Sequence, residues 1–504
     1  MLWYNVYIGE GPRGKGDIEM SGIEYHDLRE FLSKVEALGE LKTVPGVHWD
    51  KEMGAITEIL YREKAEKSPA LLFDRITGYP EGYRCLYGML NSPKRFALSL
   101  GLPLPEDGGL MNLLKAYREK MKGMKLVPPK VVKDGPVLEN VMEGNEVDLF
   151  RFPTPVHHEL DGGRYIGTAD GVITRDPEEG WVNCGTYRVQ LISKDTCLLY
   201  ISQGKQGRIQ SDKYLDSGKP CPVVVVIGID PLLYVSARFQ VPWGVSEFDF
   251  AGGLMGEPVE VIHGKYTGLP IPARAEIVLE GEVLPEERLP EGPFGEWNGY
   301  YAGGKKEEPV LKVKRVMFRS NPVLTCAASQ KPPHSHLFER CFIRSAGLWE
   351  GLEKAGCPEV KGVWVHSAGS GRTFNVVAIK QRYFGHSRQA GMLASQIPPS
   401  AYIGRFIVVV DDDIDPSNIN EVIWAMGTRC DPAQDVEITR KCWGSRLDPL
   451  SDTDQYYNSR AVIDACIPYE RIKTFPPVAQ TTPAYRKKIL EQYPALMKEL
   501  LTAT

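Results

Sequence analysis

Three short runs near the middle of the chain combine residue types that acid–base or metal chemistry uses. The first is Glu291-Gly-Pro-Phe-Gly-Glu296, two carboxyl groups five positions apart. Gly292, Pro293 and Gly295 between them dictate a tight, stiff turn, because glycine reaches backbone conformations closed to other residues and proline fixes φ. Such a turn can aim both carboxyl groups into one site, where like charge or apolar surroundings raise a carboxyl toward the neutral range that a general acid needs. A solvated surface turn is the other reading of the same residues. The second run is Trp181-Val-Asn-Cys-Gly-Thr-Tyr-Arg188. On one strand, alternation puts Asn183, Gly185 and Tyr187 on one face and Cys184, Thr186 and Arg188 on the other. An arginine inside a barrel needs a carboxylate partner; an edge strand with Arg188 facing water is the alternative. The third run is Trp243-Gly-Val-Ser-Glu247 with Asp249 and Gly252-Gly253 behind it. Glu247 and Asn183, on separate strands, offer hard oxygen ligands suited to Mg2+, Mn2+ or K+ rather than zinc.

Other clusters read as structural. Asp411-Asp-Asp413 with Asp415 follows an apolar strand and reads as the polar end of that strand. His157-His158 and His334-Ser-His336 lack a nearby third ligand and read as polar loop histidines. Gly369-Ser-Gly-Arg372 matches neither glycine-rich phosphate loop and reads as a turn between strands. The 10 cysteines contain no CxxC pair, which fits free thiols in a reducing cytoplasm rather than a zinc knuckle or a disulfide scaffold.

The elements that must position these residues follow from periodicity. Apolar residues at helical spacing predict helices over Tyr25–Leu38, Lys51–Glu66 and Met111–Met124, with a short strand at Ala70–Phe73. From about Lys130 to Pro322 short β-rich runs alternate with Gly and Pro: Trp181–Leu191, Cys197–Ser202, Pro222–Gly228, Val259–His263, Ala275–Leu284 and Val310–Phe318. These predict a barrel or strongly curved sheet. Helix and strand then alternate again, and an amphipathic helix over Ala484–Leu501 closes the chain, placed to pack on another domain or subunit. The predicted fold is therefore mixed α/β (α+β): an N-terminal α/β region (1–129), a central β-domain (130–322), a C-terminal α/β domain (323–483) and a terminal helix (484–504). Met20 is an alternative start, which leaves residues 1–20 as a disordered extension.

Length sets two to four domains for 504 residues, since single cores stop growing near roughly 250–300. A net charge of −5 gives no general attraction to nucleic acid. The longest apolar runs, Val223–Ile229 and Phe406–Val410, are far short of the roughly 20 residues of a membrane span and read as buried strands.

Taken together, the runs resemble one family, the UbiD-type decarboxylases, which use prenylated FMN. The likeness extends from about Ser21 to the last helix and is carried by Arg164-Tyr-Ile-Gly-Thr-Ala-Asp170, Asn183 to Arg188, Gly244-Val-Ser-Glu247, Glu291 to Glu296, and Asp411 to Trp424. The resemblance implies a split β-barrel flavin-binding domain in the centre and a C-terminal oligomerisation domain. It implies Arg188, Glu291 and Glu296 as the catalytic network, with Glu296 the proton donor. The cofactor-binding set it implies is Asn183, Cys184, Thr186, Tyr187, Arg188, Lys205, Gln206 and Glu247. Mn2+ or Mg2+, with K+ nearby, is implied at the cofactor phosphate, held by Asn183, Gln206 and Glu247. Gln206 departs from the pattern, since relatives carry His in this Gly-Lys-His-Gly-Arg string; a Gln carbonyl is a weaker, neutral oxygen ligand. Trp297, bulkier than its counterparts, is expected to border the substrate ring.

The implied reaction is non-oxidative, reversible decarboxylation of an aromatic, heteroaromatic or α,β-unsaturated acid, a hydroxybenzoate-type acid leading. A flavin prenyltransferase supplies the cofactor, and the assembly is a homodimer or a hexamer of dimers. A subunit of a phenylphosphate-type carboxylase and a non-catalytic paralogue are the competing readings.

Overall fold

A computed structural model describes residues 22–105, 109–239, 241–451 and 456–502. The expected extension at 1–20 and the choice between Met1 and Met20 lie outside those residues.

Helix Leu28–Ala37 starts where Asp27 accepts the Glu30 N–H, and it buries Leu28, Phe31, Leu32 and Val35 at the spacing of one helical face. It covers a four-stranded sheet in the order Leu41–Pro45, Ala70–Asp74, Arg84–Tyr87, Val323–Cys326. The last of these strands arrives from far along the chain and pairs parallel with Arg84–Tyr87.

The centre is a nine-stranded antiparallel sheet. Its main path runs Arg164–Gly167, Arg188–Leu191, Thr196–Tyr200, Lys306–Phe318, Ile277–Glu291, Cys221–Ile227, Asp170–Arg175, Val182–Gly185, and Asn140–Glu143 pairs with Lys306–Phe318. Bulges interrupt the long Ile277–Glu291/Lys306–Phe318 pair and add bend and twist there. Val182–Gly185 ends one side of the path, whereas Arg188–Leu191 stands next to the other end. Only Thr186 and Tyr187 separate them in sequence, so the sheet must curl until its ends nearly meet. The single strand expected over 181–191 is thus two strands. The face alternation drawn through Thr186 and Tyr187 fails because the chain turns there.

Beyond it, Val360–Val365, Phe374–Ile379, Phe406–Asp411, Tyr457–Asp464 and Val436–Trp443 form a five-stranded mixed sheet. Helix Phe338–Lys354 joins this sheet to the barrel through one shared apolar core: Phe342 packs 4.8 Å from Phe96, and Tyr117 stacks 5.7 Å from Phe239. The terminal helix is two helices, Pro483–Gln492 and Pro494–Thr502. Pro494 breaks it, since proline lacks the N–H that a continuing helix requires. No helix among the described residues is long and apolar enough to cross a membrane.

Candidate active site

Arg188 opens a strand that lies between Arg164–Gly167 and Thr196–Tyr200, not on the sheet edge. Glu291 is the last residue of its long strand. The following turn needs Gly292, whose φ is +88° and whose added Cβ would lie 2.7 Å from the Gly304 carbonyl oxygen. Gln190 accepts the Gly292 N–H at 3.1 Å, Gly162 donates to the Pro293 carbonyl at 2.7 Å, and Glu296 donates its N–H to the Tyr300 carbonyl at 2.9 Å. The turn is therefore fastened at three points. It delivers Glu296 to the same guanidinium that Glu291 holds.

Arg188 donates from Nε and Nη2 to the two oxygens of Glu291, both at 2.8 Å, and from Nη1 to Glu296 Oε1 at 2.5 Å. Side-chain exposures of 11% for Arg188, 2% for Glu291 and 7% for Glu296 rule out both the surface turn and the water-facing arginine. Tyr165 donates its hydroxyl to Glu291 Oε1 at 2.9 Å. Burial, with Glu291 beside it, raises Tyr165 far above the phenol range, so it stays a donor. Burial works against the charge on Arg188, yet Glu296 and Glu291 hold it above its ordinary range. The guanidinium also lies 4.2 Å from the Tyr200 ring centre and 5.4 Å from that of Phe294.

These groups border a cavity of about 560 Å³, within the range of small-molecule sites. Arg188, Glu296, Asn183, Thr186, Tyr187, Lys205, Gln206 and Glu247 all line it. Glu291 does not; it stands behind Arg188 and orients it. Cys184 is fully buried away from the cavity and contributes its backbone N–H, which Glu247 Oε2 accepts at 2.7 Å. Glu247 begins helix Glu247–Met255 rather than lying on a strand, with Ser246 as the cap. Burial raises it to about 8, although the Cys184 N–H pulls the other way. Gln206 begins helix Gln206–Asp216 and donates its amide nitrogen to the Val241 carbonyl at 3.1 Å, leaving its carbonyl oxygen for a ligand. Asn183 is 1% exposed. One buried carboxylate and two amide side chains on one cavity wall are a donor set for a hard cation. No cluster of three His, Cys, Asp or Glu with metal-site geometry occurs among the described residues, so the amides are essential to any such site.

One expectation fails here. His157, His334 and His336 are buried, not polar loop residues, and burial holds each below its ordinary range. His157 is enclosed by Tyr87 and Phe294, with ring centres 5.7 and 6.1 Å away, and His334 and His336 pack on each other at 4.1 Å. Gly369–Arg372 is indeed a turn, but it places Arg372 on the cavity. The acidic strand end is structural, as Asp411 and Asp413 pair with Arg429 at 3.3 and 2.6 Å. Trp297 stands on the cavity wall.

Sequence reasoning missed Arg340, Arg344, Arg372, His336 and Tyr402, which also line the cavity. The available signal was Arg340 and Arg344, four apart on helix Phe338–Lys354 and hence on one face.

Comparison with known proteins gives consistent matches along the chain. Domain profiles of 3-octaprenyl-4-hydroxybenzoate carboxy-lyase match in three parts: the N-terminal domain at residues 32–116, the Rift-related domain at 130–332 and the C-terminal domain at 339–465. A pyrrole-2-carboxylic acid decarboxylase of Pseudomonas aeruginosa is 34% identical over 427 residues, 81% of this chain and 84% of that protein. The UbiD-class enzyme HmfF of Pelotomaculum thermopropionicum, solved with FMN, superposes with a TM-score of 0.81 at 31% identity, over 93% of this chain and 100% of that one. An evolved dimeric form of it, solved with prFMN, gives 0.77 at 30% identity over 93% and 100%. Vanillic acid decarboxylase of Sedimentibacter hydroxybenzoicus gives 0.80 at 29% identity over 95% and 99%. With its three domain profiles in order, its curled central sheet and its full-length structural relatives, the chain belongs to the UbiD family of carboxy-lyases.

Proposed function

We propose that this decarboxylase acts reversibly and without net oxidation on a planar aromatic, heteroaromatic or α,β-unsaturated carboxylic acid, with Glu296 as the proton donor and prenylated FMN as cofactor. The observation that carries the reading is the bridge from Glu291 through Arg188 to Glu296, which presents one acid at the cavity wall while the other stays behind.

When bound, prenylated FMN supplies the electrophilic ring that accepts the electron pair released with CO2. The chain supplies placement and a proton. Arg188 fixes the Glu296 carboxyl through one oxygen, so its other oxygen is the one that delivers the proton to the carbon that has lost CO2. Glu291 and the Tyr165 hydroxyl fix Arg188. They are positioning residues, and all three keep the acid's direction constant through the cycle. Phe294, Tyr200 and Trp297 exclude water and favour a flat substrate.

Asn183, Gln206 and Glu247 fit a divalent cation, Mn2+ or Mg2+, which would neutralise the cofactor phosphate. Burial, with Arg372, Arg344 and Arg340 nearby, holds Lys205 down to about 7, so a bound phosphate would favour its charged form, and K+ is the accompanying ion in this reading. The exposed terminal helices suit assembly with further copies, as a homodimer or a hexamer of dimers.

The test is co-expression with a flavin prenyltransferase, followed by absorbance spectroscopy, native mass spectrometry and CO2 release over a panel of acids. At least one acid is turned over, and the product exchanges its ring proton for solvent deuterium. Glu296→Gln abolishes both, a loss of about 10²–10⁴-fold for removal of a general acid. Full exchange in that variant removes Glu296 from its role. Turnover only after addition of a companion chain moves the reading to a subunit of a larger carboxylase.

A further inference from the structure

Glu296 is held by Arg188 at its carboxyl group and by the backbone on both sides of it, and one buried carboxylate reaches both sides. Asp161, in the loop that leads into strand Arg164–Gly167, has a fully buried side chain. Its Oδ2 accepts the N–H groups of His157 at 3.2 Å and His158 at 3.0 Å, and its Oδ1 accepts the N–H of Gly295 at 3.3 Å. Gly295 is the residue before Glu296. On the far side of the acid, Glu296 donates to the Tyr300 carbonyl, and the next residue, Tyr301, turns its hydroxyl to Asp161. Burial, with Asp161 beside it, raises Tyr301 above the phenol range, so that hydroxyl stays a donor. Burial opposes the charge on Asp161, yet the His158 and His157 side chains and the His158 N–H hold its carboxyl below the ordinary range. An enclosed anion of this kind is kept only where directed donors satisfy it.

The neighbouring backbone fits the same turn closely. Gly162 donates to the Pro293 carbonyl at 2.7 Å, and a Cβ on it would collide with the Gly292 carbonyl. A Cβ on Gly295 would lie 2.7 Å from the Ser329 carbonyl oxygen. Gln190 is two residues after Arg188 and so on the same face of that strand. It accepts from Gly292 and donates to the Gly162 carbonyl, both at 3.1 Å. The turn therefore lies flush against the Asp161–Gly162 backbone. Asp161 itself does not line the cavity, so it acts on the chemistry through the turn alone.

We infer that Asp161 is a positioning residue of the reaction, a buried carboxylate that fastens Gly295 and Tyr301 on the two sides of Glu296 and so fixes the line along which the acid delivers its proton. This role rests on the decarboxylase reading above. No proton passes through Asp161: Glu296 gives its proton to the carbon that has lost CO2, and water restores it. Arg188 holds one carboxyl oxygen of the acid, and the turn sets where the other points. Loosening the turn leaves the cavity walls in place and costs alignment, the quantity on which proton transfer depends.

The test compares Asp161→Asn, Asp161→Ala and Tyr301→Phe with the unaltered chain in two ways. Amide hydrogen exchange followed by mass spectrometry, without substrate, reads the turn itself. Peptides spanning 292–301 exchange faster in all three variants, and those of strands Cys221–Ile227 and Phe406–Asp411 do not change. Steady-state rates and solvent isotope effects are read on the flavin-loaded enzyme, with pyrrole-2-carboxylate, 4-hydroxybenzoate and cinnamate as probes. In Asp161→Ala, kcat falls about 10–10²-fold, the scale of a small misplacement of a reacting group. Asp161→Asn, which keeps one acceptor oxygen, recovers part of that loss. KM and flavin absorbance hold, and the solvent isotope effect on kcat rises because proton delivery becomes the slow step. Unchanged exchange at 292–301 overturns the inference, as does a lost rate that follows flavin loss or melting with the isotope effect unmoved. Tyr301→Phe deletes only a hydroxyl, so it carries the test if the Asp161 variants do not fold. Faster exchange at the turn, with no acid turned over by the unaltered enzyme, would instead sink the decarboxylase reading and leave the fastening standing.

Discussion

Arg188 makes three directed N–H bonds to two acids, and its planar fork is the feature that lysine lacks. Arg188→Lys keeps the charge but cannot hold both acids in those directions. At about 1.5–3 kcal/mol for each lost bond to a charged group, the variant melts at a lower temperature and turns over more slowly, with kcat falling more than KM rises. Calorimetry and steady-state rates measure both. Glu291→Gln separates orientation from proton delivery. It leaves the Glu296 carboxyl in place but weakens the hold on Arg188, so the residual rate exceeds that of Glu296→Gln when the two are compared on one substrate. Equal loss in both would place Glu291 in direct contact with the reaction.

At the scale of elements, the site depends on how one strand ends. Gly292 has the left-handed backbone that turns Glu296 back toward Arg188, and a Cβ there meets the Gly304 carbonyl. Gly292→Ala is expected to destabilise by about 1–2 kcal/mol from the left-handed strain alone. It should lower activity disproportionately, because the turn carries the acid; thermal melting and rate measured together check this. The loops enclosed beside the barrel impose a pH dependence. Burial holds His157 down to about 4, with Asp161 favouring its charge and His158 opposing it, and the Tyr87 hydroxyl lies 3.2 Å from Nδ1. Its folded value is below the unfolded one, so the unfolded chain takes up a proton that the folded chain refuses. Stability from this group is complete above about 6.5 and declines as pH falls toward 4, by on the order of 3 kcal/mol. Melting temperatures between pH 7.5 and 4.5 should show this fall, and His157→Gln should remove its share while buried His334 and His336 keep theirs.

At the scale of the molecule, the cavity is closed by two distant parts of the chain. The barrel contributes Arg188, Glu296 and Glu247, and the C-terminal helix and turn contribute Arg340, Arg344 and Arg372. Both are joined by the apolar core around Phe96, Phe338 and Phe342, so the charge on that side of the cavity is set by packing between domains. The last two helices leave Tyr485, Tyr493, Leu496 and Leu500 exposed. Such apolar surface on unpacked helices suits a subunit contact. Truncation after Gln480 is expected to lower the assembly state in native mass spectrometry while the monomer's melting temperature stays within a few degrees.

Much of this was legible along the chain, and for a physical reason. Two acids around a Gly-Pro-Gly turn, strands with apolar runs and helices with a 3.6-residue period are local patterns, and the backbone must obey them wherever the segment ends up. The resemblance that names the family rests on the same kind of local run. Register and closure are different, because they are settled by pairing between segments remote in sequence. The run from Trp181 to Arg188 read as one strand until the curled sheet assigned its halves to opposite ends of its path, and Val323–Cys326 took a partner among the first strands. Arg372 likewise read as part of a turn, and Arg340 and Arg344 carried no site motif. Only the docking of helix Phe338–Lys354 on the barrel turned their unpaired charge inward, and that packing has no local signature.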